Sequence, residues 1–261
     1  MNGSIFLYYN KTLFEPLNKL IDDKMKKSYK MRWIGLAACV LLGLFAVSCN
    51  KEKIKAQETQ NEDEGKWVDL GLPSGLLWAT RNIGASSPED YGDYFAWGET
   101  QPKEVYNWST YRYCNGHYNE LTKYCYESIY GYNGFTDNQT ILQPGDDAAT
   151  ANWGGGAYTP TRGEWKELMN NTTSQWTTRN GVYGRLFTGS NGNSLFLPSA
   201  GFYWGSSLYY AVSNGYYWSS SLNTSRPDLA WFFYFVSSHQ HIGDGGDYRY
   251  FGFTVRAVRQ N

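Results

Sequence analysis

Histidine is nearly absent from this 261-residue chain, which has three, and cysteine is scarce, with four. Nucleophilic triads and zinc sites draw on these residues, so their scarcity removes most ways of building either. Neither sign of charge is in excess. Lys plus Arg number 23 against 24 Asp plus Glu, a net charge of −1. The basic field on which nucleic-acid binders rely is missing, and no nucleic-acid partner is expected. Charged residues reach only 18%, below the roughly 25% of an average soluble domain. Aromatic residues take up the difference: 11 Trp, 23 Tyr and 13 Phe, or 18% of the chain, beside 28 Gly. So much ring surface must be buried or used for contact, which excludes a disordered chain. The glycine content and the lack of long aliphatic stretches exclude a helical bundle.

The apolar, uncharged run from Trp33 to Val47 falls short of the roughly 20 residues a transmembrane helix needs. Lys26, Lys27, Lys30 and Arg32 precede it, and Phe45-Ala46-Val47-Ser48-Cys49 ends it. This layout resembles a bacterial lipoprotein signal, which implies that residues 25–48 are removed and Cys49 is lipidated. A short membrane span is the alternative reading. Residues 1–24 read as an upstream extension, residues 49–65 as a polar tether, and 66–261 as one domain. The protein is then expected outside the cytoplasm, lipid-anchored to a bacterial outer membrane or cell surface. In that oxidising setting Cys114 and Cys125 form an even pair, and a disulfide between them is expected. His117 lies between the two, but this spacing matches no zinc pattern.

Within the domain, Lys66–Gly71 and Leu76–Arg81 read as strands joined by a turn at Leu72-Pro73-Ser74-Gly75. Asp146-Asp147-Ala148-Ala149 opens a short helix that Gly154-Gly155-Gly156 ends. Thr161-Arg162-Gly163-Glu164 is a capping box, and Trp165, Leu168 and Met169 follow at helical spacing, predicting a helix near 162–170 with Trp165 and Leu168 inward. Gly181–Phe187, Ser194–Pro198, Tyr216–Ser219, Ala230–Val236 and Phe251–Val258 read as strands. Two short helices among many short strands give an α+β class.

Chemistry is thinly represented. No Ser lies in a Gly-x-Ser-x-Gly elbow, and there is no phosphate loop or dinucleotide fingerprint. His239 and His241 flank Gln240, so a strand would place both rings on one face, yet no third metal ligand is evident. The Asp146-Asp147 pair reads as a helix N-terminus, with calcium or acid–base use as the alternative. No metal, no cofactor and no enzymatic activity are expected. What stands out is Phe202–Phe251, where 16 of 50 residues are aromatic and most of the rest are Gly, Ser and Asn, the mixture that binding loops use. In Trp231–Val236 alternation puts Trp231, Phe233 and Phe235 inward and Phe232, Tyr234 and Val236 outward as a contact stripe, unless a second layer covers it.

Several motifs carry a resemblance: Trp67-Val68-Asp69-Leu70-Gly71-Leu72-Pro73-Ser74-Gly75-Leu76-Leu77-Trp78-Ala79, Tyr94-Phe95-Ala96-Trp97-Gly98-Glu99, Phe196-Leu197-Pro198-Ser199-Ala200-Gly201, Gly215-Tyr216-Tyr217-Trp218-Ser219-Ser220 and Gly252-Phe253-Thr254-Val255-Arg256. In this order the chain is similar to the Fibrobacter major paralogous domain family across essentially all of 66–259. The resemblance implies a C-type-lectin-like fold with short antiparallel sheets, two short helices and long loops. It also implies pairing of the first and last strands, and a ligand face near the C-terminus. Ala157-Tyr158-Thr159-Pro160-Thr161 departs from the family's Trp-Arg-x-Pro-Thr. The late cysteine pair of the related formylglycine-generating enzymes is missing, so an oxidase is disfavoured.

The C-terminal part also resembles variable proteins diversified by retroelements. The positions that this resemblance makes ligand-binding are Asn223, Arg226, Asp228, Leu229, Phe232, Tyr234, Val236, His239, His241 and Asp244. The expectation is an adhesin- or receptor-like lipoprotein whose partner is a protein or glycan on another cell or in the environment. A structural envelope or pilus-associated subunit is the alternative.

Overall fold

The computed structural model describes residues 23–27 and 65–261. The signal segment, the tether and Cys49 lie outside the described residues, apart from a short helical stretch at 23–27. Among the described residues no helix is long and apolar enough to cross a membrane. Glu64–Asn261 form one unit.

Strands β1 (Trp67–Asp69) and β2 (Leu77–Ala79) form the expected hairpin, closed by a Gly75 N–H to Leu72 O bond of 2.9 Å. Three more strands are β3 (Tyr94–Phe95), β13 (Phe253–Thr254) and β14 (Val258–Arg259). The C-terminal β14 joins the hairpin's sheet by pairing with β2 rather than with β1, giving the order β1-β2-β14. The predicted strand 251–258 is thus two short pieces. Between them Arg256, fully buried, turns inward to Asn82 Oδ1 (2.8 Å) and Ala79 O (3.0 Å), which interrupts the ladder.

The helix α1 (Ala148–Trp153) is capped by Asp147 and ends at Gly154, whose φ of 59° favours glycine. The helix α2 (Arg162–Asn171) starts from the predicted capping box: Thr161 Oγ1 accepts the Glu164 N–H and Glu164 accepts the Thr161 N–H. Its Trp165 and Leu168 are buried as expected. The strands β4 (Thr173–Arg179), β5 (Val182–Thr188) and β6 (Ser194–Pro198) follow as an antiparallel meander. Then come the hairpin β7 (Phe202–Trp204) and β8 (Ser207–Tyr209), and the central strands β9 (Gly215–Leu222) and β10 (Leu229–Phe235). Edge strands β11 (Gln240–Ile242) and β12 (Asp247–Tyr248) both pair with β10, completing a sheet ordered β11-β10-β9-β13-β3. Mixed short sheets and few helices make the class α+β.

That central sheet has a core on each face, so a second layer covers Phe232 of the expected outward stripe, while Tyr234 and Val236 stay partly exposed. Phe233, Phe235 and Tyr217 pack with Trp165, Trp78 and Leu168 on one side. Phe232, Trp218 and Phe253 pack with Trp97, Phe95 and Tyr106 on the other. Phe232 is therefore buried instead of outward, while Trp231, predicted inward, is only partly buried and lies under the Arg162 guanidinium at 3.5 Å. Three of the four fully buried indoles are satisfied: Trp97 donates to Ser219 O, Trp218 to Phe95 O, and Trp165 to Trp218 O, while Trp78 Nε1 has no partner. Each such ring, fully removed from water, contributes about 2–3 kcal/mol.

Candidate functional site

The expected ligand positions fall into three groups. Asn223 is buried and organises its own loop: its Oδ1 accepts the Ser225 and Arg226 N–H groups, and its Nδ2 donates to Gly245 O. Asp228 is also buried, held in a two-point ion pair by Arg226 at 3.0 and 2.7 Å. With Phe232 in the core, these three are buried, at 6%, 0% and 7% exposed, and leave little surface for a ligand. Arg226 and Asp244 are exposed, and Leu229 and Val236 partly buried.

Tyr234, His239 and His241 do converge. In the β10–β11 register His241 stands opposite Tyr234, with ring centroids 5.0 Å apart. The two imidazoles stack at 5.5 Å and 11°, as alternation along a strand requires. Among the described residues no three His, Cys, Asp or Glu side chains gather as a metal set. The Asp146-Asp147 pair is spent on structure. Asp146 accepts both the Tyr113 and Tyr124 hydroxyls at 2.6 Å and pairs with Lys123. Burial raises its pKa, but these partners outweigh it and hold the carboxyl below the usual range. Asp147 caps α1 and accepts from Thr159, and burial pushes its pKa up.

The predicted disulfide is absent: Cys114 and Cys125 are free thiols. Each is turned to a carbonyl near it in the chain, Cys114 to Trp108 O (3.1 Å) and Cys125 to Glu127 O (3.2 Å). The loop is held instead by Arg249. This fully buried guanidinium donates to the Tyr111 hydroxyl and to the carbonyls of Lys123, Tyr124 and Pro227. It also lies 4.9 Å from the Trp97 ring, in cation–π geometry. Arg249 thereby fixes the segment from which Asp247, Tyr248 and Phe251 project.

Sequence reasoning missed a cluster of exposed rings on the β7–β8 hairpin and the turn after it. Trp204, Tyr209 and Tyr210 are 52%, 39% and 59% exposed. They are not isolated. Ring contacts of 4.9–6.2 Å run unbroken from His239 through His241, Tyr234, Tyr216, Phe202, Tyr209 and Trp204 to Phe251. From there they continue through Tyr248 to Trp108. The signal in the sequence was the aromatic density of 202–251. Which of those rings reach the surface depends on strand register.

The hairpin's other side turns Tyr203 onto Tyr94 and Tyr106, at 4.8 and 5.6 Å. Together with Asp93, Lys103 and Glu104 these tyrosines line an open cleft of about 570 Å³, within the range of small-molecule sites. The Tyr94 and Tyr106 hydroxyls are committed to Ala200 O and Tyr94 O, and burial raises the pKa of both. The cleft thus offers ring faces and a few polar ends but no activated nucleophile.

Compared with protein families, characterised proteins and solved structures, the chain matches none.

Proposed function

We propose that this chain is a binding protein, not an enzyme, and that it grips its ligand on the aromatic surface centred on Trp204, Tyr209, Tyr234 and His241. The observation that carries the reading is the unbroken ring path whose members Trp204 and Tyr209 stand open to solvent. The exposed part is the cluster Trp204, Leu208, Tyr209 and Tyr210, which the buried Phe202 links to Tyr234 and His241, and exposed apolar clusters mark interaction sites. Rigid Tyr and Trp rings supply contact area at low entropic cost.

Membership in the Fibrobacter major paralogous family, with a C-type-lectin-like fold, belongs to the same proposal. The ordered motifs support it, as does the Trp67 hairpin sharing a sheet with the chain's last strand. The Lys26–Cys49 layout supports a lipid-anchored protein outside the cytoplasm, at a bacterial outer membrane or cell surface. The partner is then a protein or glycan outside the membrane.

The test is binding of the native protein and of a Trp204→Ala/Tyr209→Ala variant to glycan and protein arrays. A hit lost in the variant supports the reading. A hit that the variant keeps moves recognition off this face, and no hit at all favours a structural envelope subunit.

A further inference from the structure

Asp247 stands beside this aromatic surface with no cation to neutralise it. It lies opposite Ala230 in the β10–β12 register, on the β10 face that also carries Phe232 and Tyr234. One carboxylate oxygen accepts the Tyr248 N–H at 2.9 Å. Among the described residues that is its one hydrogen bond, and it enters no ion pair.

The charged and titratable groups around it are accounted for. Tyr216, on β9, and Tyr250 are near enough that the carboxylate charge helps raise both phenols. Arg226 is paired with Asp228, and Arg249 is turned inward to Tyr111 and to main-chain carbonyls. His241 faces Tyr234, four residues along β10 from Ala230, or about 13 Å. Asp244, on the intervening turn, is exposed and of like sign.

A half-buried carboxylate in this setting has lost water without gaining a partner. A ligand ammonium would regain a charge-assisted hydrogen bond, whereas an anion would be repelled. Building on the binding reading above, we propose that Asp247, held opposite Ala230 on the face that carries Tyr234, anchors a cationic side chain, a lysine or arginine, of a protein partner.

The experiment titrates the isotope-labelled full chain with Nα-acetyl-lysine N-methylamide and with the neutral isostere Nα-acetyl-norleucine N-methylamide, following backbone NMR shifts. The lysine derivative is expected to shift Gly246–Phe251 and Tyr216, and the norleucine derivative to leave them in place. Asp247→Asn is expected to weaken lysine binding by about tenfold or more, with unchanged melting cooperativity confirming its fold. Equal binding of both derivatives, equal binding by Asp247→Asn, or no lysine binding overturns the cation assignment. The array experiment separates this from the broader reading. A ligand bound equally by Asp247→Asn but lost by Trp204→Ala/Tyr209→Ala keeps the face and removes the cation. A neutral glycan as that ligand does the same.

Discussion

Arg185, on β5, donates to the carbonyl oxygen of Val236 at 2.7 Å, and so ties the peripheral meander to the turn that presents His239. The same Nη2 lies within 3.4 Å of the Ser237 and His239 carbonyls, and Nη1 donates to Ser174 Oγ. The side chain is buried without a carboxylate partner, and desolvation lowers its pKa. Three main-chain carbonyls and the Ser174 hydroxyl solvate it, and Nε has no partner. Arg185→Met keeps the stem and removes the donors. It is expected to cost about 1–3 kcal/mol and to speed hydrogen exchange at Val236 and His239. Unchanged exchange there would mean the turn holds itself.

The pH dependence of stability follows from Asp247. Burial pushes its pKa from 3.8 to about 6, against a weaker opposing effect of the Tyr248 N–H. A carboxyl raised on folding is easier to protonate in the native state than in the unfolded chain. The native state therefore bears no penalty from this group below about pH 4 and the full penalty above about pH 6. Stability is expected to fall between those values by up to ~3 kcal/mol, and Asp247→Asn to remove that slope and melt higher at pH 7. An identical slope in the variant would contradict the assignment.

The turn after β8 carries backbone strain. Val212, a β-branched residue, has a φ of 75°, and Tyr210 has 54°, a region that side chains on Cβ oppose. Val212 is 53% exposed, so little packing is lost by removing its side chain. Val212→Gly is expected to raise stability by about 0.5–1 kcal/mol in a denaturant melt, net of glycine's extra entropy in the unfolded chain. A loss of stability would show that the Val212 side chain, not its backbone, matters here.

Cys114 and Cys125 should behave as ordinary shielded thiols. Burial raises the pKa of both, which disfavours the reactive thiolate. Iodoacetamide is expected to label them slowly in the native protein and fully after unfolding without reductant, as read by peptide mass spectrometry. Recovery of a peptide pair joined through Cys114 and Cys125 would contradict this.

Local chemistry was legible where one segment decides the outcome. The capping box at Thr161, the Pro73-Gly75 turn and the cap at Asp147 each act through neighbours in sequence, and each forms. The Trp231–Val236 stretch shows the limit. Alternation predicted correctly that Phe233 and Phe235 share a face, but not that a second core lies behind Phe232. Nothing within six residues records how many layers cover a strand. The disulfide expectation failed because compartment and even count say nothing about where two thiols point. The setting of Asp247 was not legible, since it arises from a register with Ala230, 17 residues away. His239 and His241 were placed on one face by spacing alone, and the structure stacks them.

The most direct test of the binding face is hydroxyl-radical footprinting of the full chain with and without the ligand that the arrays identify. Tyr132 and Tyr183, exposed at 45% and 44%, serve as internal references away from the ring path. The account predicts protection of Trp204, Tyr209, Tyr210 and His241, with both references unchanged. Protection confined to Tyr203 and Lys103 in the cleft, with Trp204 still fully oxidised, would contradict it.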